Sequence, residues 1–151
     1  MKDNSIHTIY KIILALSLIC ILFSVIIYIE NRQLAAKKQD FCSAITGTNG
    51  CETVQTSKFG KTLGISNVWY GIVGFILLGI FSSILIKKDN KIIRYLTTAG
   101  GFIAGFVSIL FLYLQTLVIH AYCIFCLFVD TFSLIILGLT IYLLFKTTRH
   151  K

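Results

Sequence analysis

The sequence predicts an all-α membrane protein, a four-transmembrane-helix bundle with a long extracytoplasmic loop, containing a short helix, between helices one and two. Three observations carry that expectation. The first is composition: 56% of the 151 residues are hydrophobic and the mean hydropathy is +0.85, against roughly 45 to 50% apolar residues in soluble domains. The second is four apolar runs, about 9–29, 68–86, 95–119 and 121–145, each near or above the ~20 residues that cross hydrocarbon as a helix. The third is the placing of charge. Lys2 and Lys11 lie at the start of the first run, Lys87, Lys88, Lys91 and Arg94 between the second and third, and Lys146, Arg149 and Lys151 after the fourth.

Each element follows in order. The first run is too long for the ~7 to 15 residue core of a signal peptide, and Leu34-Ala-Ala-Lys37 is a poor cleavage site, so it reads as a helix. Residues 30–67 form a polar loop punctuated by Gly47, Gly50 and Gly60, in which Glu52 to Phe59 has the pattern of a short amphipathic helix, Val54 and Phe59 toward the bilayer and Lys58 toward water. The second helix opens on Trp69 and Tyr70, suited to the membrane interface. Glycines of the second and third helices, among them Gly79, Gly101 and Gly105, read as close-packing positions. The chain has no proline to kink a helix. Nothing divides it, and residues 1–151 read as one membrane domain.

The net charge of +8 does not indicate nucleic acid, because the basic residues flank apolar runs instead of forming a stripe with aromatics. Under the positive-inside rule they place both termini in the cytoplasm and the 30–67 loop outside, together with the turn near His120. Five basic residues in that loop blunt the contrast. His120 itself reads as a solvated turn residue.

Of five cysteines, Cys20 sits among Ile and Leu in the first run and reads as a small hydrophobe. The other four, Cys42, Cys51, Cys123 and Cys126, converge on one membrane face under this topology. Cys123-Ile-Phe-Cys126 at a helix start has the stereochemistry of a redox pair, since a helix N-terminus stabilises a thiolate and the partner sulfur is near enough to close a disulfide. Other readings stand beside thiol exchange: a zinc or copper site, which the eight residues between Cys42 and Cys51 fit poorly, or two inert disulfides on a non-enzymatic membrane scaffold. Exchange requires an acceptor for two electrons. A pair at the level where a helix enters lipid suggests a lipid-soluble one, a quinone, while the loop pair is where a soluble protein thiol reaches.

Asp130 stands four residues after Cys126 and seven after Cys123, on the same helix face. An ionisable group inside a membrane is a functional candidate by default. Asp130 is expected to relay the protons that quinone reduction consumes, or to hydrogen-bond a quinone carbonyl while protonated, or, without a part in the chemistry, to sit protonated and bonded to Ser108 or Gln115 across helices.

At these residues the sequence resembles the vitamin K epoxide reductase family, integral membrane oxidoreductases with a four-helix bundle around a quinone pocket. The resemblance spans nearly the whole chain and is most specific at Cys51-Glu-Thr-Val-Gln-Thr-Ser57-Lys-Phe-Gly60, with support from Leu112-Tyr113-Leu114 and Tyr122-Cys123-Ile-Phe-Cys126. It implies that Cys42 and Cys51 are a loop shuttle pair, Cys42 exchanging with a thioredoxin-like protein and Cys51 passing electrons to Cys123, and that Cys126 attacks the quinone. Cys126 is then expected to be the activated thiolate. Ser57 and Asn67 match residues near the quinone, though Asn67 also suits an ordinary helix N-cap. The implied acceptor is a ubiquinone, menaquinone or vitamin K type quinone, or, alternatively, vitamin K epoxide.

The sequence departs from the family at Ser66, where most bacterial members have proline, at Asp130, where animal-type members have tyrosine, and in the wider spacing of its loop cysteines. Many bacterial members continue into a thioredoxin-like domain. This sequence runs to Lys151, so the soluble redox partner is expected to be a separate protein. The expected setting is a bacterial inner membrane with the cysteines on the periplasmic face, or alternatively the endoplasmic reticulum membrane.

Overall fold

The structure, a computed structural model, describes residues 4–35 and 50–149. Its elements in chain order are α1 (Asn4–Ala35), a short α2 (Gly50–Thr56), a 3-10 turn (Lys58–Gly60), β1 (Lys61–Thr62), β2 (Ile65–Ser66), α3 (Asn67–Lys87), α4 (Lys91–Tyr113) running into a π-helical turn (Leu114–Ile119), and α5 (Ile124–Arg149). Among the described residues, four helices are long and apolar enough to cross a membrane. A helix satisfies its backbone polar groups internally, which hydrocarbon demands because it offers no partner for a free N–H or C=O.

The four long helices form a closed ring: α1 packs on α3 and α5, and α4 packs on α5 and α3. Their outer faces are as apolar as their inner ones. Leu18, Leu22, Ile103, Phe106 and Phe145 are all more than half exposed, an arrangement that suits lipid and would leave a soluble protein with a large apolar patch. Inside, one apolar cluster is built from Ile13, Cys20, Phe75, Leu78, Leu85, Ile136 and Leu143. A second, at the end of the bundle that carries α2, joins Ile27, Cys51, Val54, Cys123 and Phe125.

Small residues set the closest helix approach. A Cβ on Gly101 would lie 2.4 Å from Thr140 Cγ2, and one on Gly105 would lie 2.6 Å from Leu137 Cβ, so α4 and α5 meet at separations that only glycine permits. Gly105→Val is expected to destabilise the fold by about 1–3 kcal/mol through overpacking. Thermal unfolding in detergent measures it, and an unchanged melting temperature contradicts the packing described. Two buried hydroxyls bond within their own helices: Ser17 of α1 and Thr97 of α4 each donate to the carbonyl four residues back at 2.8 Å, Ile13 and Ile93 respectively, which removes the cost of burying an unpaired donor.

Between α2 and α3 the chain forms a tight hairpin with Lys61 opposite Ser66 and Thr62 opposite Ile65. Its two turn residues, Leu63 and Gly64, have φ of 54° and 81°, the double positive φ whose twist matches antiparallel strands. The hairpin is tied to α3 by Tyr70, whose hydroxyl donates to the Thr62 carbonyl at 3.4 Å.

The element bounds differ from the sequence expectation in three places. Helix in the loop covers Gly50–Thr56 and not Glu52 to Phe59: Phe59 lies in the 3-10 turn and is 43% exposed, while Val54 turns into the protein beside Cys51. The last helix begins at Ile124 and not at 121, because His120 adopts a left-handed conformation, φ 53°, that ends the preceding turn. Finally, α1 and α4 continue past their apolar runs, since helical hydrogen bonding persists into polar flanks that hydropathy does not register.

Candidate functional site

The site is assembled where three non-helical features meet: the N-terminus of α2, the reversal at His120, and the N-terminus of α5. Cys123 is the residue ahead of the first helical residue, Ile124. Its carbonyl accepts the first helical hydrogen bond, from Leu127 N–H at 3.0 Å, and its Sγ accepts from the Cys126 N–H at 3.4 Å. The thiol thus occupies the place of an N-cap oxygen, engaging one of the otherwise unpaired N–H groups of a helix start.

That geometry revises the expectation for Cys126. The helix-end N–H points at the sulfur of Cys123, so the stabilisation of a thiolate falls on Cys123. Cys123 precedes the Ile124–Lys146 span, and its thiol is held below its ordinary value. The hydrogen bond with the Cys126 side chain is the largest influence; burial opposes it, and the N–H groups of Cys126 and Phe125 act with it. Cys126 is partly exposed, and both thiols are free.

Cys51 is disulfide-bonded and, like Cys123, wholly buried in the cluster at this end of the bundle. The preceding residue shows how closely the two segments meet: a Cβ on Gly50 would lie 2.3 Å from the Tyr122 carbonyl oxygen. Backbone lies against backbone, setting residues 50–51 directly on residues 122–123. Cys42 lies outside the described residues.

Asp130 is buried one helical turn below Cys126, and Gln115 Nε2 donates to its Oδ2 at 3.3 Å. Ser108 is a second hydrogen-bonding neighbour of the carboxyl. Of the arrangements expected for Asp130, the bond to Gln115 across helices is present. Gln115 also accepts the Cys123 N–H at Oε1, 3.1 Å.

Ser57 and Asn67 each donate to a backbone carbonyl. The Ser57 hydroxyl donates to the Val54 carbonyl at 2.7 Å, closing the end of α2. Asn67 is the first residue of α3 and not its N-cap, a position held by Ser66. Its Nδ2 reaches back to the Phe59 carbonyl at 2.6 Å, because the tight hairpin brings the 3-10 turn alongside. Cys20 is buried in the mid-bundle cluster, as a small hydrophobe would be, and His120 is exposed.

Two features were not singled out from the sequence. Phe23 of α1 stacks on Phe128 at 5.4 Å and on Phe132 at 6.3 Å, with Phe125 tilted against it at 6.3 Å, making an aromatic cluster where α1 meets α5, on a different face of α5 from Cys126 and Asp130. The spacing of Phe125, Phe128 and Phe132, three and four residues apart, was the available signal. The other is Gln115 as a bridge; it is the only side-chain amide in the third apolar run.

Comparison with curated proteins finds none that matches the chain. A family model described as "Vitamin K epoxide reductase family" matches residues 11–141, which includes both the loop segment and the Cys123–Cys126 pair. A match over most of the sequence, on a bundle of four apolar helices, shows that the chain belongs to the vitamin K epoxide reductase family of membrane oxidoreductases.

Proposed function

We propose that the protein oxidises the thiols of a thioredoxin-like protein and passes the electrons through Cys42 and Cys51 to Cys123 and Cys126 and on to a membrane quinone, so supporting disulfide-bond formation. The observation that carries this reading is the burial of the disulfide-bonded Cys51 in one cluster with the free thiol of Cys123. A disulfide sulfur is not a thiolate ligand, which argues against a four-cysteine zinc site in this state. The setting is a bacterial inner membrane with the cysteines on the periplasmic face.

The relay balances as a series of exchanges. A partner thiolate attacks the sulfur of Cys42 in a Cys42–Cys51 disulfide and releases the Cys51 thiolate; the partner's second thiol then closes the partner's own disulfide and frees Cys42. Cys51 attacks Cys123 in the Cys123–Cys126 disulfide, and Cys126 leaves as thiolate. Cys42 then attacks Cys51, re-forming the loop disulfide and expelling Cys123. A lower-pKa thiol leaves faster, and the Cys126 N–H at 3.4 Å from Cys123 Sγ favours this departure. The result, a bonded Cys51 with Cys123 and Cys126 free, is the arrangement in the structure.

When bound, a quinone supplies an acceptor for two electrons and two protons. Two features of this chain suit it: the partly exposed Cys126, and Gln55 Oε1, a buried acceptor on α2 without a donor among the described residues, to which a quinol hydroxyl would donate. In donating the electron pair, Cys126 and Cys123 re-form their disulfide. Ser57 and Asn67 would hold the quinone oxygens by hydrogen bonds, and of the two protons taken up Asp130 would supply one and the Cys123 thiol the other.

Two experiments test the proposal. In the double variant Cys42→Ala/Cys126→Ala, mild oxidation is expected to join Cys51 to Cys123, seen by mass spectrometry of unreduced peptides; recovery of both thiols fully alkylated would contradict the relay. For Asp130→Asn, turnover is expected to fall by about 10²-fold, the scale of a lost general acid. Because the protonated carboxyl is the donor, wild-type turnover declines as pH rises and the acid form is lost, whereas the variant is uniformly slow. Full turnover at every pH in the variant excludes Asp130 as the donor.

A further inference from the structure

We propose that Gln115 is a positioning residue of the redox pair, its amide coupling the protonation of Asp130 to the stability of the reduced Cys123 thiol. This rests on reading Cys123 and Cys126 as the membrane redox couple. Gln115 comes from the π-helical turn that ends α4 and is 1% exposed. Its two ends meet two chemically different groups. Oε1 accepts the Cys123 N–H at 3.1 Å, and Nε2 donates to Asp130 Oδ2 at 3.3 Å.

The orientation of the amide follows from the first bond. An N–H requires the amide oxygen, so the amide nitrogen is turned to Asp130 and needs an acceptor there. The Cys123 N–H lies at a helix start, where no helical carbonyl is available to it, and Gln115 supplies the acceptor that the helix lacks. This bond fixes the backbone from which Cys123 Sγ meets the Cys126 N–H at 3.4 Å. A carboxylate at Asp130 draws the amide more strongly than a neutral carboxyl, since charged acceptors form the stronger hydrogen bonds. A change of protonation at Asp130 therefore reaches Cys123 through the Gln115 amide, in addition to acting on it directly across space.

The groups facing Asp130 are few. Cys20 of α1 and Cys123 and Cys126 at the start of α5 lie within its electrostatic reach, and α4 contributes the neutral Ser108 and Gln115. The ionisable residues of α3 are Tyr70 near one end and Lys87 at the other. Only Gln115 bridges Asp130 to the Cys123 backbone among the described hydrogen bonds.

The test is the thiol–disulfide equilibrium of Cys123 and Cys126 in the full-length protein in detergent. Samples equilibrated in dithiothreitol buffers across a range of pH are read by alkylation and mass spectrometry. In wild type the midpoint is expected to show an inflection with pH that Asp130→Asn abolishes. Gln115→Leu should weaken the same inflection and move the equilibrium about tenfold toward the disulfide, ~30 mV for a two-electron couple. The double variant should shift no further than the larger single shift, because coupled sites are non-additive. Gln115→Glu keeps both hydrogen bonds when protonated and should displace the inflection without removing it. That variant serves as the test if the leucine variant does not fold. A wild-type midpoint and inflection in Gln115→Leu, or in Gln115→Glu, overturns the proposal, as do strictly additive shifts. The assay contains no quinone, so its outcome is independent of whether the protein reduces one.

Discussion

Replacing Cys126 by Ala is expected to lower quinone-dependent thiol oxidation by at least about 10³-fold, the scale on which an enzyme loses its covalent nucleophile. Exchange between the soluble partner and the loop cysteines should persist, because Cys51 carries its disulfide independently of the Cys123–Cys126 pair. The variant separates the two halves of the proposed relay. It leaves Cys123 as a single buried thiol, able to form a mixed disulfide with Cys51 but unable to close the membrane disulfide that returns the electron pair. Quinol formation measured in membranes and alkylation of the loop cysteines give the two readouts. Normal quinol formation in the variant contradicts the role assigned to Cys126.

Gly50→Ala is expected to have the second largest effect, without touching a sulfur. The added Cβ would stand 2.3 Å from the Tyr122 carbonyl oxygen, and neither side of that contact is a flexible side chain. Relief requires α2 to move away from residues 122–123, carrying Cys51 away from Cys123. Displacement of reacting atoms by ~1 Å costs about 10²-fold, so turnover driven by a thioredoxin-like thiol should fall by roughly that factor. Turnover driven by dithiothreitol, a small dithiol able to reach the partly exposed Cys126 directly, should fall far less. Equal losses with both reductants would show that the contact matters for folding and not for transfer.

Much of the scaffold was legible because hydropathy reports lipid contact directly. The second apolar run, 68–86, matches α3, Asn67–Lys87, to within a residue at each end. The glycine reading succeeded at Gly101 and Gly105, where a side chain would collide with α5, while Gly74 has open space around its missing Cβ. Hydropathy erred where apolar residues are not helical. Residues 121–123 continue the apolar run, yet the left-handed His120 and the bond from Cys123 N–H to Gln115 hold them outside α5.

The site was legible as an inventory of residues and not as a set of bonds. Cys51, Cys123, Cys126 and Asp130 stood out by type and spacing. The sequence alone could not show that the helix-end N–H serves the sulfur of Cys123, since this depends on α5 starting at Ile124 and not at 121. The partner of Asn67 escaped for a similar reason: Phe59 comes within reach only through the two-residue turn at Leu63 and Gly64.

The central claim is that thiols in the loop and thiols in the membrane pair form one path to a quinone. It is tested most directly by measuring thiol oxidation of a reduced thioredoxin-like protein by membranes containing this protein, with and without added quinone, while quinol is measured in parallel. The account predicts oxidation that depends on quinone, yields one quinol per disulfide, and disappears when Cys42, Cys51, Cys123 or Cys126 is replaced singly. Thiol oxidation that proceeds equally without quinone, or that survives loss of Cys123 or Cys126, would contradict it.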